Sequence, residues 1–123
     1  MKDTLEKLQG WGCDISGTLP RFLDDQGFLL ECIVQVSQDE GFAALRQALA
    51  EGDLAGAFDT AHMLKGILSN TGLTPLYEVI VQIVEPLRIG ESAGLLERWE
   101  QLEDRRQELL VLLNATSKGS SPV

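Results

Sequence analysis

Residues 53–73 read DLAGAFDTAHMLKGILSNTGL, and this stretch contains the signals of one complete amphipathic helix. Asp53 is a favourable N-cap residue, and Gly72 is placed to end the helix. Between them, apolar residues recur at spacings of three and four, which puts them on one helical face directed at a core. That apolar face consists of Leu54, Ala57, Phe58, Ala61, Leu64 and Leu68.

Helical periodicity continues on the N-terminal side of this stretch. Asp3 and Glu6 have the spacing of a capping box, which predicts a short first helix. A second short apolar segment follows, and the proline within it limits its length. From Gln26 to about Glu51 the apolar spacing again predicts helix, either as one kinked helix or as two helices with a break near residues 39–41.

Two further helices are predicted on the C-terminal side. Thr74 and Pro75 are suited to be an N-cap and a first helical residue. Pro86 either ends the helix that begins there or kinks it, because its ring clashes with the carbonyl one turn back. Ser92 is suited to cap a last helix, whose leucines run at heptad-like spacing to about Asn114.

The absence of sustained apolar–polar alternation argues against strands. The predicted fold is therefore all-α, an antiparallel four-helix bundle with short N-terminal helical elements packed at one end. Residues 1–115 would form a single helical domain. Residues 116–123, rich in serine with glycine and proline, are predicted to be a disordered C-terminal tail.

Composition excludes several classes of partner. The 123 residues carry a formal net charge of −9, with 10 Lys plus Arg against 19 Asp plus Glu. Basic surfaces bind nucleic acids and anionic membranes, so we expect neither as a partner of this acidic chain.

No stretch approaches the roughly 20 continuous apolar residues of a membrane span, and the N-terminus lacks the apolar core of a signal peptide. Because Cys13 and Cys32 form no disulfide framework or CxxC site, we expect a cytoplasmic protein with free thiols. The sequence does not determine the oligomeric state, and a monomer is the simplest expectation.

His62 is the only histidine of the chain, which excludes sites built on paired histidines. Lys65 and Gly66 follow it by three and four residues, so all three share a helical face beside the apolar one. A glycine within a helix costs about 1 kcal/mol relative to alanine. Gly66 therefore predicts close approach by another molecule next to His62.

An exposed imidazole beside a lysine is suited to carry a phosphoryl group. The neutral ring is a nucleophile near pH 7, and the ammonium of Lys65 would stabilise the phosphoryl oxygens. The sequence has no GxxxxGK[ST] motif, no other glycine-rich nucleotide loop and no clustered carboxylates for Mg²⁺. We expect neither ATP binding nor autophosphorylation, and no cofactor bound by this chain. By itself, however, a lone histidine on an amphipathic helix is more often a solvated or core-edge residue.

One run of residues resembles the signature of histidine-containing phosphotransfer (HPt) domains. It reads AHMLKG at residues 61–66 and continues with Ser69-Asn70, Gly72 and Leu76. Residues 19–30 resemble the N-terminal region of that family, and residues 48–53 resemble the turn before its histidine helix. The resemblance covers roughly residues 12 to 112.

The resemblance implies a phosphocarrier in a multistep phosphorelay of two-component signal transduction. His62 would be the phospho-acceptor on Nε2, Lys65 would stabilise the phosphoryl group, and Gly66 would give clearance for docking. The implied partners are response-regulator receiver domains and a hybrid sensor histidine kinase. Mg²⁺ would be bound by the receiver domain during transfer.

The chain departs from the family pattern at Val84, where Gln or Glu is common and helps to orient the histidine. Valine cannot hydrogen-bond the ring, and Gln82 and Glu85 are the neighbouring candidates for that role. Arg88, one turn later, matches a basic residue of the family. It either contacts the phosphoryl group or is solvated.

The sequence allows two interpretations of several other apolar side chains near His62. Met63, Ile67 and Leu73 are either part of a docking surface or part of the core, and Tyr77 is undecided. Trp11 and Trp99 are interpreted as packing residues.

Two other functions are weighed against phosphotransfer. A non-catalytic helical adaptor, a degenerate HPt relative that binds partners without phosphotransfer, is suggested by Val84 and Pro86. An independent hydrolase or metal enzyme is disfavoured, because the one histidine has no nucleophile paired with it.

Overall fold

The computed structural model describes residues 2–120, excluding the side chains of Lys2 and of residues 115–120. The described residues form helices and no strand, which confirms the all-α prediction. The elements are α1 (Lys2–Trp11), α2 (Ile15–Thr18), a 3-10 helix (Leu19–Phe22), α3 (Gln26–Ser37), α4 (Gly41–Glu51), α5 (Leu54–Asn70), α6 (Thr74–Arg88) and α7 (Leu95–Ser120).

Helices α4 to α7 form a ring of four, in which each helix packs against two others of the set. Contacts between α5 and α6 run in opposite directions along the two helices. Lys65 lies near Glu85, whereas the earlier residue Phe58 lies near the later residue Arg88. This is the pairing of antiparallel neighbours, which short connections between helices favour.

The core lies between these four helices and continues beneath the N-terminal elements, which contribute Leu8, Leu29 and Ile33 to it. On α5, the predicted face contributes Ala57, Ala61, Leu64 and Leu68, all 0 % exposed, while Leu54 and Phe58 are half-buried. Complete burial of a leucine contributes roughly 1.5–3 kcal/mol to stability. The face of α5 opposite this core therefore remains available to solvent.

The N-terminal elements pack on α7 and on the turn between α5 and α6. Helices α1 and α3 contact α7 and each other. The Asp14 N–H donates to the Gly72 carbonyl at 2.9 Å. The Arg21 guanidinium donates to the Ser69 and Asn70 carbonyls at 3.3 and 3.1 Å, which satisfies orphan acceptors at the end of α5. These bonds hold the end of the histidine helix in place.

The region from Gln26 to Glu51 is two helices, separated by residues 38–40. Asp25 caps α3 by accepting from the Phe28 N–H, and Asp53 caps α5 by accepting from the Gly56 N–H, as predicted for Asp53. Pro86 does not end α6, which continues to Arg88. The proline lies in the last turn and deprives the Gln82 carbonyl of its N–H partner, but only Leu87 and Arg88 follow it in the helix.

Other predicted helix ends were wrong. The capping box of Asp3 and Glu6 is absent, because α1 begins at Lys2 and Asp3 lies within its first turn. The N-cap of α6 is Leu73, one residue before Thr74. Ser92 does not cap α7, since that helix begins only at Leu95.

The last helix extends to Ser120, well past the predicted end near Asn114. Residues 121–123 of the predicted tail lie outside the described residues. Among the described helices, none has both the length and the apolar character that crossing a membrane requires.

Candidate functional site

His62 lies on the outer face of α5, which the bundle leaves uncovered. The residues one turn to either side on this face, Asp59 and Gly66, are exposed, as are Ala55 and Ser69 further along. The periodicity of α5 explains this placement, because these positions are on the side opposite the buried face. The result is a strip of small and polar residues with one imidazole in its middle.

Gly66 has open space where a side chain would stand. Apart from its chain neighbours and the adjacent backbone of α5, a Cβ built at this position would meet no atom within 4 Å. Packing inside the protein therefore does not require glycine here, although glycine within a helix costs about 1 kcal/mol. The surface of α5 is therefore low and open at Gly66, one turn from His62.

Two cations and one carboxylate connect α5 to α6 beside His62. Lys65 Nζ lies 3.9 Å from Glu85 Oε2, and Arg88 Nη2 lies 3.4 Å from the same oxygen. The side chains are 28 % (Lys65), 52 % (Glu85) and 47 % (Arg88) exposed. Water therefore screens both pairs, and each is worth less than about 1 kcal/mol.

An aromatic contact joins the same cluster to the imidazole. The Phe58 and His62 rings are stacked, with centroids 5.6 Å apart and 18° between their planes. Arg88 Cζ lies 5.4 Å from the centroid of the Phe58 ring, within the range of a cation–π contact. The sequence predicted Phe58 only as a core residue, yet its spacing of four from His62 is the spacing of helical side-chain contacts.

The residues considered as orienting groups point elsewhere. Val84 is 0 % exposed and belongs to the core. Gln82 Nε2 donates to the Glu78 carbonyl on its own helix, and the Glu85 carboxylate faces Lys65 and Arg88. Among the side chains that the structure describes, none hydrogen-bonds the imidazole of His62.

An open depression lies beside the imidazole, between the end of α5 and α6. Its lining includes Arg21, His62, Lys65, Gly66, Ser69, Asn70 and Tyr77. Arg21 was not predicted as a site residue, because it approaches from a segment more than 40 residues away in sequence. Together with Lys65 it places two cations in the lining of the depression, in a chain whose net charge is −9. An anionic group would be attracted to this place on the surface.

The structure separates docking candidates from core residues. Leu73 is 0 % exposed and is core, Ile67 is half-buried, and Met63 is 42 % exposed on α5. Both tryptophans, Trp11 and Trp99, are half-buried, and each hydrogen-bonds a residue of another helix. The indole N–H of Trp11 donates to Glu108 at 2.9 Å, and that of Trp99 donates to the Phe42 carbonyl at 2.7 Å.

We also searched the described part of the chain for a metal site and for a reactive cysteine. There, no three residues of the types His, Cys, Asp and Glu gather as metal ligands would. Both cysteines are free thiols, and Cys13 is buried. Burial raises the pKa of the Cys13 thiol to about 12, so it is not a reactive thiolate near neutral pH.

Comparison with known proteins assigns the chain to a family. The family model of the Hpt domain matches residues 32–115, which contain α4, α5 and α6 and most of α7. No curated protein and no solved structure matches the chain. The match begins later than the resemblance noted from residue 12, but it includes His62, Lys65 and Gly66. Since it spans more than half of the sequence, the chain belongs to the Hpt domain family, as the sequence predicted.

Proposed function

We propose that this protein is a phosphocarrier in a multistep phosphorelay, with His62 as the residue that receives and donates the phosphoryl group. Family membership supports a part in phosphorelay signalling. The observation that carries the residue assignment is the exposed imidazole of His62 beside Lys65, in an open depression with a second cation. An imidazole hidden in the core would be inaccessible to a partner.

The chemistry needs little from this chain beyond a placed nucleophile. The Nε2 lone pair of neutral His62 forms a bond to phosphorus as the P–O bond to a receiver aspartate breaks, which leaves a carboxylate. The reverse reaction on a second receiver domain returns the imidazole. Lys65 stabilises the phosphoryl oxygens, and Arg88 supplies further positive charge when Glu85 releases it.

The proposed partners are receiver domains of response regulators and a hybrid sensor histidine kinase. Gly66 leaves room for a receiver domain to approach over the imidazole. The receiver domain supplies the aspartate and Mg²⁺, and this chain binds no cofactor of its own in the proposal. We propose a monomer acting in the cytoplasm, a reducing compartment that suits two free cysteines.

The test is transfer of labelled phosphate to the purified chain from a panel of receiver domains, each first phosphorylated with acetyl phosphate and Mg²⁺. We expect label that is stable in base and lost in acid, as a phosphoramidate requires. His62→Gln keeps a polar side chain on an exposed position but removes the nucleophile. It should remain helical by circular dichroism and take no label.

Label that persists in His62→Gln would overturn the assignment of the acceptor. The adaptor interpretation predicts another pattern, with receiver binding that is unaffected by His62→Ala and no label on the wild-type protein. No structural observation favours it. Val84 and Pro86 suggested it, but Val84 is a buried core residue and α6 continues through Pro86 to Arg88.

A further inference from the structure

The imidazole of His62 touches an aromatic ring of its own helix. Phe58 precedes it by one turn, and the two rings are stacked at 5.6 Å with 18° between their planes. Stacked and offset aromatic pairs with centroids about 4.5–7 Å apart attract one another. The contact therefore restricts rotation of an exposed side chain that water alone would leave free to turn.

Phe58 is itself held from the neighbouring helix. Its ring is half-buried at the edge of the core, and Arg88 Cζ lies 5.4 Å from the ring centroid. Arg88 is in turn paired with Glu85 at 3.4 Å. The ring that stacks on His62 is thus supported by both α5 and α6, which a lone surface aromatic would not be.

We propose that Phe58 is the positioning residue of His62 in phosphotransfer, with Arg88 steadying the Phe58 ring. The proposal rests on the phosphocarrier function proposed above and specifies how its nucleophile is oriented. It also accounts for Val84, which cannot hydrogen-bond the imidazole. Orientation comes by stacking from within α5 instead of by a hydrogen bond from α6.

Stacking has a chemical consequence that differs from that of a hydrogen bond. A hydrogen bond to one ring nitrogen selects the tautomer and occupies that nitrogen. A stacked partner covers a face of the ring and leaves both nitrogens at its open edges. The orientation of the ring then decides which nitrogen meets the incoming phosphorus, and reaction rates depend steeply on such alignment.

A small phosphodonor separates positioning from docking. With phosphoramidate, the Nε2 lone pair of His62 forms the N–P bond while the P–N bond to ammonia breaks. Ammonia leaves, and the ring proton stays on Nδ1. Nuclear magnetic resonance distinguishes this product from the isomer phosphorylated on Nδ1, so one experiment yields both a rate and an isomer ratio.

The variants are Phe58→Leu, which removes the ring, and Phe58→Tyr, which keeps one. Phe28→Leu is the matched control, because Phe28 is also a partly exposed phenylalanine, 45 % exposed, in an aromatic pair with Phe22. Circular dichroism and urea unfolding confirm that each variant is folded before its rate is compared.

We expect Phe58→Leu to be phosphorylated about two- to tenfold more slowly than wild type, the range that loss of an aromatic pair implies. The share of the Nδ1 isomer should rise, and the ring-current shift of the His62 protons should disappear. Phe58→Tyr should restore rate and isomer ratio, and Phe28→Leu should match wild type.

An unchanged rate and isomer ratio in Phe58→Leu would overturn the positioning role. If receiver domains still label wild type but not His62→Gln, the phosphocarrier function stands regardless. Equal slowing in Phe58→Leu and Phe28→Leu would indicate a general loss of packing and would also overturn the proposal. If no receiver domain labels the wild-type protein, the phosphocarrier function fails and the positioning role falls with it.

Discussion

The Glu85 carboxylate offsets positive charge near His62, because its Oε2 is paired with two cations. Lys65 Nζ is 3.9 Å and Arg88 Nη2 is 3.4 Å from this oxygen. Both pairs are partly exposed and individually weak. A phosphoryl group carries more negative charge than a carboxylate, so it would compete with Glu85 for the same cations.

Glu85→Gln should therefore speed phosphorylation of His62 and slow hydrolysis of phosphohistidine. We expect changes of about two- to fivefold, since an exposed ion pair is worth about 0.2–1 kcal/mol. The measurements are the rate of labelling by phosphoramidate and the lifetime of the label. Glu78→Gln makes the same change in net charge on the same helix and should leave both values unchanged. Slower labelling in Glu85→Gln would contradict the expectation.

Two substitutions of Gly66 distinguish its effect on stability from its effect on docking. Because a Cβ there meets open space, Gly66→Ala should raise the free energy of unfolding by about 1 kcal/mol. Gly66→Leu should remain folded but lose most label from receiver domains, while phosphoramidate labels it normally. The urea midpoint and the two labelling rates test this, with Gly10→Ala as a second helical glycine in open space. Full receiver-dependent labelling of Gly66→Leu would show that no partner approaches there.

At the scale of elements, the turn between α5 and α6 positions the end of the histidine helix. Gly72 adopts a positive φ of 71°, and its carbonyl accepts from the Asp14 N–H. A Cβ at Gly72 would collide with the Thr18 hydroxyl. Arg21, from the same N-terminal segment, donates to two carbonyls at the end of α5. The N-terminal segment and the turn therefore hold each other in place.

Gly72→Ala should destabilise the protein more than Gly52→Ala. Gly52 has a similar φ of 73° but open space around it, so its substitution incurs only the backbone strain, roughly 1–2 kcal/mol. At Gly72 the collision with Thr18 adds to that strain. Urea unfolding of both variants measures the difference, and equal losses of stability would contradict the close approach.

At the scale of the whole molecule, the N-terminal elements and the bundle share one core. Cys13 follows α1 and is 4 % exposed within that core. Burial raises its pKa from 9.0 to about 12. Above pH 9 the unfolded chain loses this proton while the folded protein keeps it. The contribution of Cys13 to stability is thus complete below pH 9 and is lost as the pH rises towards 12.

The urea midpoint should therefore fall between about pH 8 and pH 10.5, and fall less in Cys13→Ala than in wild type. The comparison uses the difference between the two pH values, so any loss of packing in the variant cancels. Cys32→Ala keeps the buried thiol and should show the wild-type fall. An identical pH dependence in wild type and Cys13→Ala would contradict the burial of this thiol.

Local spacing was enough to predict much of the bundle. The apolar face of α5, its cap at Asp53 and its end before Gly72 depend on contacts within one helix or one turn. The predictions that were wrong concerned the residues at which helices begin. Ser92 and Asp3 have suitable capping side chains, but α7 begins at Leu95 and α1 at Lys2.

The sequence by itself determined that His62, Lys65 and Gly66 share one exposed helical face, because a helix of known period relates residues three and four apart. Only the tertiary structure decided what surrounds that face. Glu85 and Arg88 reach it from α6, and Arg21 reaches it from the N-terminal segment. Such contacts join residues distant in sequence, and the packing angle between helices, which no local pattern encodes, brings them together.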